Sequence, residues 1–322
     1  MRKLKTAIYG VNGHQIWDAL KKHPKILPIA AAGVPEERLR GIPAYDGGEM
    51  RTYGTLEELL EKESPEMICL CSPRRRDQAK DAILCLEKGV AVYAEKPAAL
   101  SEEELDGILA VSARTGVPFH EIADTAFFEP YYTAGKLIRE GKIGEVVQVY
   151  VQKSYPQYFP NRPEDEDVDG GLTRQGGIHA MRFVEHTVGL RVVEATAMET
   201  QNGNRGKEGL RMASSWLLRL ENGAVASACI NYLNPMSFGL WGNETLRVFG
   251  TKGLLEITDG ARHTHLYTEE GDMGEIDVSH SDCVPFFDSF VDHLLTGAPM
   301  PMTLEEELHP LRSVIRVKEA VR

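Results

Sequence analysis

Gly89-Val90-Ala91-Val92-Tyr93-Ala94-Glu95-Lys96-Pro97-Ala98-Ala99-Leu100 is the stretch that decides the fold. The apolar run Val90 to Tyr93, set after a glycine, predicts a short strand buried on both faces. Pro97 stops it, because proline has no N–H for the ladder and drives the residue before it toward extended geometry. Ser101-Glu102-Glu103-Glu104 then reads as a capping box that opens a helix. Lys96 falls at the carboxyl end of a parallel strand, the rim at which open α/β sheets bind ligands. Position alone also suits a solvated lysine before a turn, so the surroundings of the strand have to decide.

Strands and helices alternate on both sides of it. Thr6 to Tyr9, Ile26 to Ala32, Met67 to Cys71 and Val117 to Ile122 read as further strands. Between them, apolar faces such as Ile16, Trp17, Ala19 and Leu20, or Ala79, Ala82, Ile83 and Leu86, read as helices. Thr55-Leu56-Glu57-Glu58 is a second capping box, and Gly89 suits the left-handed residue that ends a helix. Such alternation predicts a doubly wound parallel sheet, an α/β fold, over residues 1–122.

The first turn, Gly10-Val11-Asn12-Gly13-His14-Gln15, lies between a strand and a helix, where amides and the helix dipole favour a pyrophosphate. A dinucleotide fingerprint has glycine at its first, third and sixth places. Here those places hold Gly10, Asn12 and Gln15, and Asn12 tolerates the left-handed geometry. The acidic residue that usually holds the adenosine ribose about twenty residues on is replaced by Ala30-Ala31-Ala32-Gly33. Arg38 and Arg40 follow, suited to a 2′-phosphate or to solvent. Ser72-Pro73-Arg74-Arg75-Arg76-Asp77 comes after the third strand, where an arginine run meets an anion or forms a solvated face.

Residues 123–322 read as a second domain. A helix follows Pro130, and Glu145 to Tyr155 alternates Val147, Val149 and Val151 with polar residues. Val192 to Thr200, Arg211 to Leu220, Ala224 to Tyr232, Thr245 to Phe249, Leu254 to Ile257 and His263 to Tyr267 continue as strands. Glu221-Asn222-Gly223 is a hairpin signal within a mostly antiparallel sheet with one apolar face. Helices at Phe286 to Leu295 and after Thr303 close the chain. Between the first two strands, Gly170-Gly171-Leu172-Thr173-Arg174-Gln175-Gly176-Gly177-Ile178-His179 leads into a helix. His179, Arg182, Phe183 and His186 are spaced to share a stripe, with Gln175 one turn ahead of His179. An imidazole there has the intrinsic pKa of a general base or is a satisfied structural group; His186, among Phe183 and Val184, reads as core.

A net charge of −12 argues against nucleic acid or an anionic membrane as partner. The five cysteines, Cys69, Cys71, Cys85, Cys229 and Cys283, lack paired zinc-ligand spacing, and buried thiols in a reducing compartment fit them better. After the basic start Met1-Arg2-Lys3-Leu4-Lys5 the apolar run ends at Gly10, too soon for a signal peptide, and no transmembrane stretch follows. The expectation is a cytoplasmic protein that holds no metal.

With the glycine turn, the Ser72-Pro73 strand end, Glu95-Lys96-Pro97 and Gly170-Gly171 through His179 in this order, the sequence resembles the Gfo/Idh/MocA oxidoreductases. Lys142-Ile143-Gly144-Glu145 and Gly250-Thr251-Lys252-Gly253 extend the resemblance over essentially the whole chain. It implies a Rossmann domain, a second α/β domain whose open sheet forms a homodimer or homotetramer, and NAD or NADP as cofactor. It implies Gly10, Asn12, Gly13, His14, Gln15, Ser72, Pro73, Asp77, Glu95 and Lys96 beside that cofactor. Lys96 matches the family lysine at the reacting hydroxyl and His179 the family acid/base, the two on opposite walls of one cleft. Asp124, Thr125, Gln175 and Arg182 are the candidates for the substrate side. Gln175 stands where the family has aspartate and Asp77 where it has histidine; Thr125 and Phe127 replace an Asn and an Arg.

The function implied is hydride transfer to or from a secondary alcohol or ketone carbon of a sugar, cyclitol or similar molecule. Two others compete: transient use of the cofactor for elimination, hydrolysis or epimerisation, and a non-catalytic nucleotide or metabolite binder.

Overall fold

Strand and helix alternate from the start in the computed structural model, which describes residues 2–156, 162–206 and 209–321. The chain forms two compact units. Unit one begins with β1 (Leu4–Tyr9), α1 (Trp17–Lys22), β2 (Ile26–Ala32), α2 (Glu36–Leu39), α3 (Pro43–Asp46) and β3 (Arg51–Tyr53). It continues with α4 (Leu56–Lys62), β4 (Met67–Leu70), α5 (Gln78–Glu87), β5 (Ala91–Ala94), α6 (Glu102–Thr115) and β6 (Phe119–Glu121).

All six strands run parallel in the order β3-β2-β1-β4-β5-β6. The order reverses between β1 and β4, the switch point of a doubly wound sheet. Ala7, Ile8, Ile68, Leu70, Val92 and Ala94 are fully buried, as a sheet covered on both faces requires. Both capping boxes form: Thr55 Oγ1 accepts from Glu58 N–H and Ser101 Oγ from Glu104 N–H, each at 3.2 Å. β5 starts one residue later than the apolar run, so Glu95 and Lys96 follow it directly. The sequence reading missed β3, a polar edge strand of three residues, too short to show a period.

After these come α7 (Tyr131–Arg139), β7 (Val146–Pro156), α8 (Glu166–Asp169) and α9 (Gly177–Arg182). Strands β8 (Val192–Thr200), β9 (Ala213–Leu220), β10 (Val225–Asn234), β11 (Asn243–Gly250) and β12 (Gly253–Thr258) follow. β13 (His263–Thr268), β14 (Gly271–Gly274), α10 (Phe286–Thr296) and α11 (Leu304–Glu319) complete the chain. The eight strands β7 to β14 form one sheet, ordered β14-β13-β12-β11-β7-β10-β9-β8. It is antiparallel except at its centre, where β7 and β10 run parallel. Gly223 turns the β9–β10 hairpin at φ +87°, a conformation that favours glycine.

Unit one also takes in residues 167–169 and 286–304, which pack with residues 1–122. The attachment of α10 is aromatic: the Phe290 ring lies 5.8 Å from Tyr93 on β5 and 4.7 Å from His120 on β6. Among the described residues no helix is long and apolar enough to cross a membrane.

Helix α9 lies close against its sheet because it begins at Gly177. A Cβ there would stand 2.3 Å from the indole of Trp216, a residue only 2% exposed on β9. Gly177→Ala is expected to destabilise the protein by about 1–3 kcal/mol through overpacking. A lower urea midpoint at unchanged slope would show this.

Candidate active site

In unit one the glycine turn is braced from beneath by the chain's own polar groups. Gly10 approaches β4 so closely that a Cβ would meet the Cys71 carbonyl oxygen at 2.0 Å. Gln15, offered for the cofactor, is buried and donates its amide N–H groups to the carbonyls of Tyr9, Gly10 and Cys69 at 3.0–3.2 Å. It fills the space between strand and helix that a small residue would leave. Ser72 also turns inward, its hydroxyl donating to Asp81 at 2.6 Å. Pro73 accepts from Asn12 Nδ2 at 3.3 Å, and Asp77 lies 3.9 Å from Arg76 at the start of α5.

Glu95 is the centre of this half. It is 1% exposed, accepts from His14 N–H at 3.0 Å, and its other oxygen lies 3.0 Å from His14 Nδ1. Burial alone would raise its pKa, but the His14 hydrogen bond and charge, with Lys96 and Arg75, outweigh it and hold the carboxyl at about 2. Lys96, next along the chain, is 1% exposed. Gln78 ties the ends of the two strands: its side-chain N–H groups donate to the Leu70 and Glu95 carbonyls and its oxygen accepts from Ser72 N–H. The sequence reading passed over it, for a lone glutamine at a helix start carries no pattern.

The arginine run is split between interior and solvent, Arg76 being exposed and Arg74 part-buried. Arg75 is 2% exposed and donates to the Asn12 carbonyl at 2.7 Å, while Arg74 and Arg76 pair with Asp167 at 3.8 and 3.1 Å. Arg75 Nε and Nη1 are buried without an acceptor. Buried guanidinium N–H groups still open to an acceptor thus lie beneath the glycine turn. That fits a dinucleotide's pyrophosphate, so the residues present suit the cofactor.

Unit two supplies the imidazole. His179 is half-buried on α9, and Thr125 Oγ1 lies 3.3 Å from its Nδ1. The structure thus brings together two residues offered from sequence, 54 positions apart. Asp124 and Thr125 share a short 3-10 turn, Asp124–Phe127, also half-buried. Helix α9 is flanked by π-helical turns at Leu172–Gly176 and Phe183–Val188. A π turn adds a residue per hydrogen-bonded ring and shifts the later side chains off the 3.6-residue period, and such turns gather at functional sites. Gln175 precedes that join, half-buried. Arg182 is 1% exposed beside His186, whose imidazole burial and the Arg182 charge hold down to about 3. Neutral His186 donates Nε2–H to the Glu306 carbonyl at 3.0 Å, as a core residue.

The surroundings of His179 hold residues that the sequence reading missed. The Tyr155 ring lies 6.4 Å from its imidazole, with Tyr232 and Trp241 at 6.3 and 6.2 Å from Tyr155. Lys153 and Tyr155 continue the inward-facing series Val149, Val151 along β7. An inward lysine in that alternation was the available signal.

A parallel nucleotide-binding sheet with a buried Glu-Lys pair at its rim, followed by an open sheet, defines a Rossmann-type oxidoreductase. The chain belongs to the Gfo/Idh/MocA family: the oxidoreductase family with NAD-binding Rossmann fold matches residues 5–122, and the GFO/IDH/MocA C-terminal domain matches residues 131–256. Among named relatives, the trans-1,2-dihydrobenzene-1,2-diol dehydrogenase of Sus scrofa is 25% identical over 65% of this chain. The chain spans 59% of that relative's length. Inositol 2-dehydrogenase 2 of Saccharopolyspora erythraea is 24% identical over 45% of this chain and 41% of its own. An oxidoreductase structure from Thermotoga maritima shares the fold at TM-score 0.87 and 24% identity, covering 98% of this chain and 97% of its own. A myo-inositol 2-dehydrogenase from Lactobacillus plantarum does so at 0.80 and 17%, covering 99% and 97%.

The Glu95 carboxyl sets an acid limit on stability. Its folded pKa of about 2 lies below the ordinary 4.5, so its contribution is complete above pH 4.5 and is lost as pH falls toward 2. That loss is on the order of 3 kcal/mol. Denaturant titrations across this range should show a shallower acid dependence for Glu95→Gln than for the native chain.

Proposed function

We propose that the chain is an NAD(P)-dependent dehydrogenase or reductase acting on a secondary alcohol or ketone carbon of a sugar, cyclitol or related small polar molecule. The observation that carries this is Lys96: a fully buried lysine directly beyond β5, one residue from the carboxylate that holds the glycine turn. The names of the relatives, dihydrodiol and inositol dehydrogenases, support the same substrate class. When bound, the nicotinamide cofactor supplies the hydride acceptor or donor.

The chain's own residues do the rest. Arg75 and the turn amides hold the pyrophosphate, with Glu95 fixing the turn's shape. Lys96 donates a hydrogen bond to the carbinol oxygen and steadies negative charge that develops there. His179 takes the hydroxyl proton on oxidation and returns it on reduction. Its bond to Thr125 fixes the ring, and with Nδ1–H donated to the threonine, Nε2 is the basic nitrogen.

We assign the chain to a reducing compartment, the cytoplasm, in keeping with five free cysteines, three of them buried. The partner we assign to the open sheet face is a second copy of this chain. Leu217, Met198, Val225 and Phe249 are 68%, 64%, 49% and 38% exposed there. The charges among them cancel on the face itself, Arg219 against Glu194 and Arg247 against Glu256 at 2.8 and 2.7 Å. Two such faces meet without the repulsion that a net charge of −12 otherwise brings.

Two measurements test these assignments. Lys96→Ala and His179→Ala should each lower kcat by about 10²–10⁴-fold, with net NAD(P)H formation from a polyol panel as the assay. Full turnover in both variants would remove the roles given. Leu217→Lys should lower the mass found by light scattering to that of one chain.

A further inference from the structure

The Tyr155 ring beside His179 has two cations against it, and they are not alike. Lys153 Nζ lies 4.7 Å from the ring centre and the Arg162 guanidinium 5.6 Å. Lys153 is 7% exposed and forms an ion pair with Glu244. Burial lowers its pKa against the opposing pull of that carboxylate, and its charge is already matched. Arg162 makes no ion pair among the described residues. It stacks 3.6 Å over Tyr232, itself 1% exposed, and its Nε is buried without a hydrogen-bond partner.

A guanidinium carries its N–H groups in its plane. Stacking on a tyrosine uses the face and leaves the edge, a fork shaped for the paired oxygens of an anion. The aromatic surface also offsets part of the cost of dehydrating Arg162 without neutralising it. A chain of net charge −12 repels anionic solutes at long range, so an uncompensated cation beside the acid/base residue favours one class of ligand.

We propose that the substrate carries an anionic oxygen group, a carboxylate or phosphate, bound by the Arg162 fork while His179 serves its carbinol carbon. This rests on the dehydrogenase reading and narrows it from polyols at large to acidic ones. Tyr155 is the wall shared by the two ends of such a molecule, being in reach of both Arg162 and His179.

The test compares matched neutral and anionic substrates with NAD and with NADP: D-galactose against D-galacturonate, and D-glucose against D-glucose 6-phosphate. The anionic member of at least one pair should show kcat/KM about 10- to 100-fold above its neutral partner. Arg162→Gln should bring that ratio close to one, and Arg162→Lys, which keeps the charge but not the fork, should restore part of it. His179→Ala should lower turnover of both members alike. Whichever pair has the larger ratio identifies the group as carboxylate or phosphate. Ratios near one in the native chain, or ratios that Arg162→Gln leaves alone, overturn the proposal while the dehydrogenase reading stands. If nothing is oxidised with either cofactor, yet calorimetry finds galacturonate or glucose 6-phosphate bound and the binding lost in Arg162→Gln, the dehydrogenase reading falls and the anion site stands. Neither turnover nor binding removes both.

Discussion

The buried Glu95 carboxylate is the constraint around which the nucleotide-binding half is built. A carboxylate this deep in protein costs several kcal/mol unless charges and hydrogen bonds answer it. Its partners come from three places in the chain: the His14 amide and ring from the first turn, Arg75 from the start of α5, and Lys96 from its own strand end. Each of those positions is therefore fixed by what Glu95 requires. The glycine turn takes its shape because the His14 N–H has to point at the carboxylate, and Gly13 yields the room, a Cβ there lying 2.5 Å from Glu95. The burial of Lys96 is tolerated for the same reason, since its charge lies beside an ionised partner.

The same constraint explains which parts of the molecule are legible in the sequence. The strands of unit one announce themselves because a sheet covered on both faces needs uninterrupted apolar runs. Helix starts are legible where Thr55 and Ser101 supply local caps. Glu95, Lys96 and His179 stand out because they sit in motifs. The bracing roles of Gln15, Gln78 and Arg75 do not, because each bonds to carbonyls whose positions depend on the tertiary fold. By pattern Gln15 only takes the place of a fingerprint glycine, whereas its amide hydrogen-bonds to carbonyls at the strand ends. The attachment of α10 to the first unit is hidden similarly: Phe286 and Phe290 show an apolar face but not what it covers.

In the second unit the illegible part is the helix around His179. A 3.6-residue period gives no sign of the π turns on either side of α9. What pins the later turn is a second buried carboxylate. Glu185 accepts from Val192 N–H and from Ser313 Oγ at 3.3 and 2.8 Å, and lies 2.5 Å from His309 Nδ1. Serine and histidine there both turn to the same carboxylate, and Ser313 Oγ and Glu185 meet the same nitrogen of His309, so the trio is a structural clasp and not a nucleophile with its base.

The two units follow one electrostatic rule. Inside each, buried charges are matched by the chain's own groups: Glu95 with His14, Glu185 with His309, Lys153 with Glu244, and Lys318 with Glu166 and Glu199 at 2.8 Å. Arg162 on the tyrosine wall departs from it, making no ion pair among the described residues and keeping its buried Nε without an acceptor. In an acidic chain, a carboxylate to answer it was readily available. Leaving an arginine unanswered costs folding energy unless a ligand's anion completes it. That imbalance is what the proposal of an acidic substrate end at the second unit rests on.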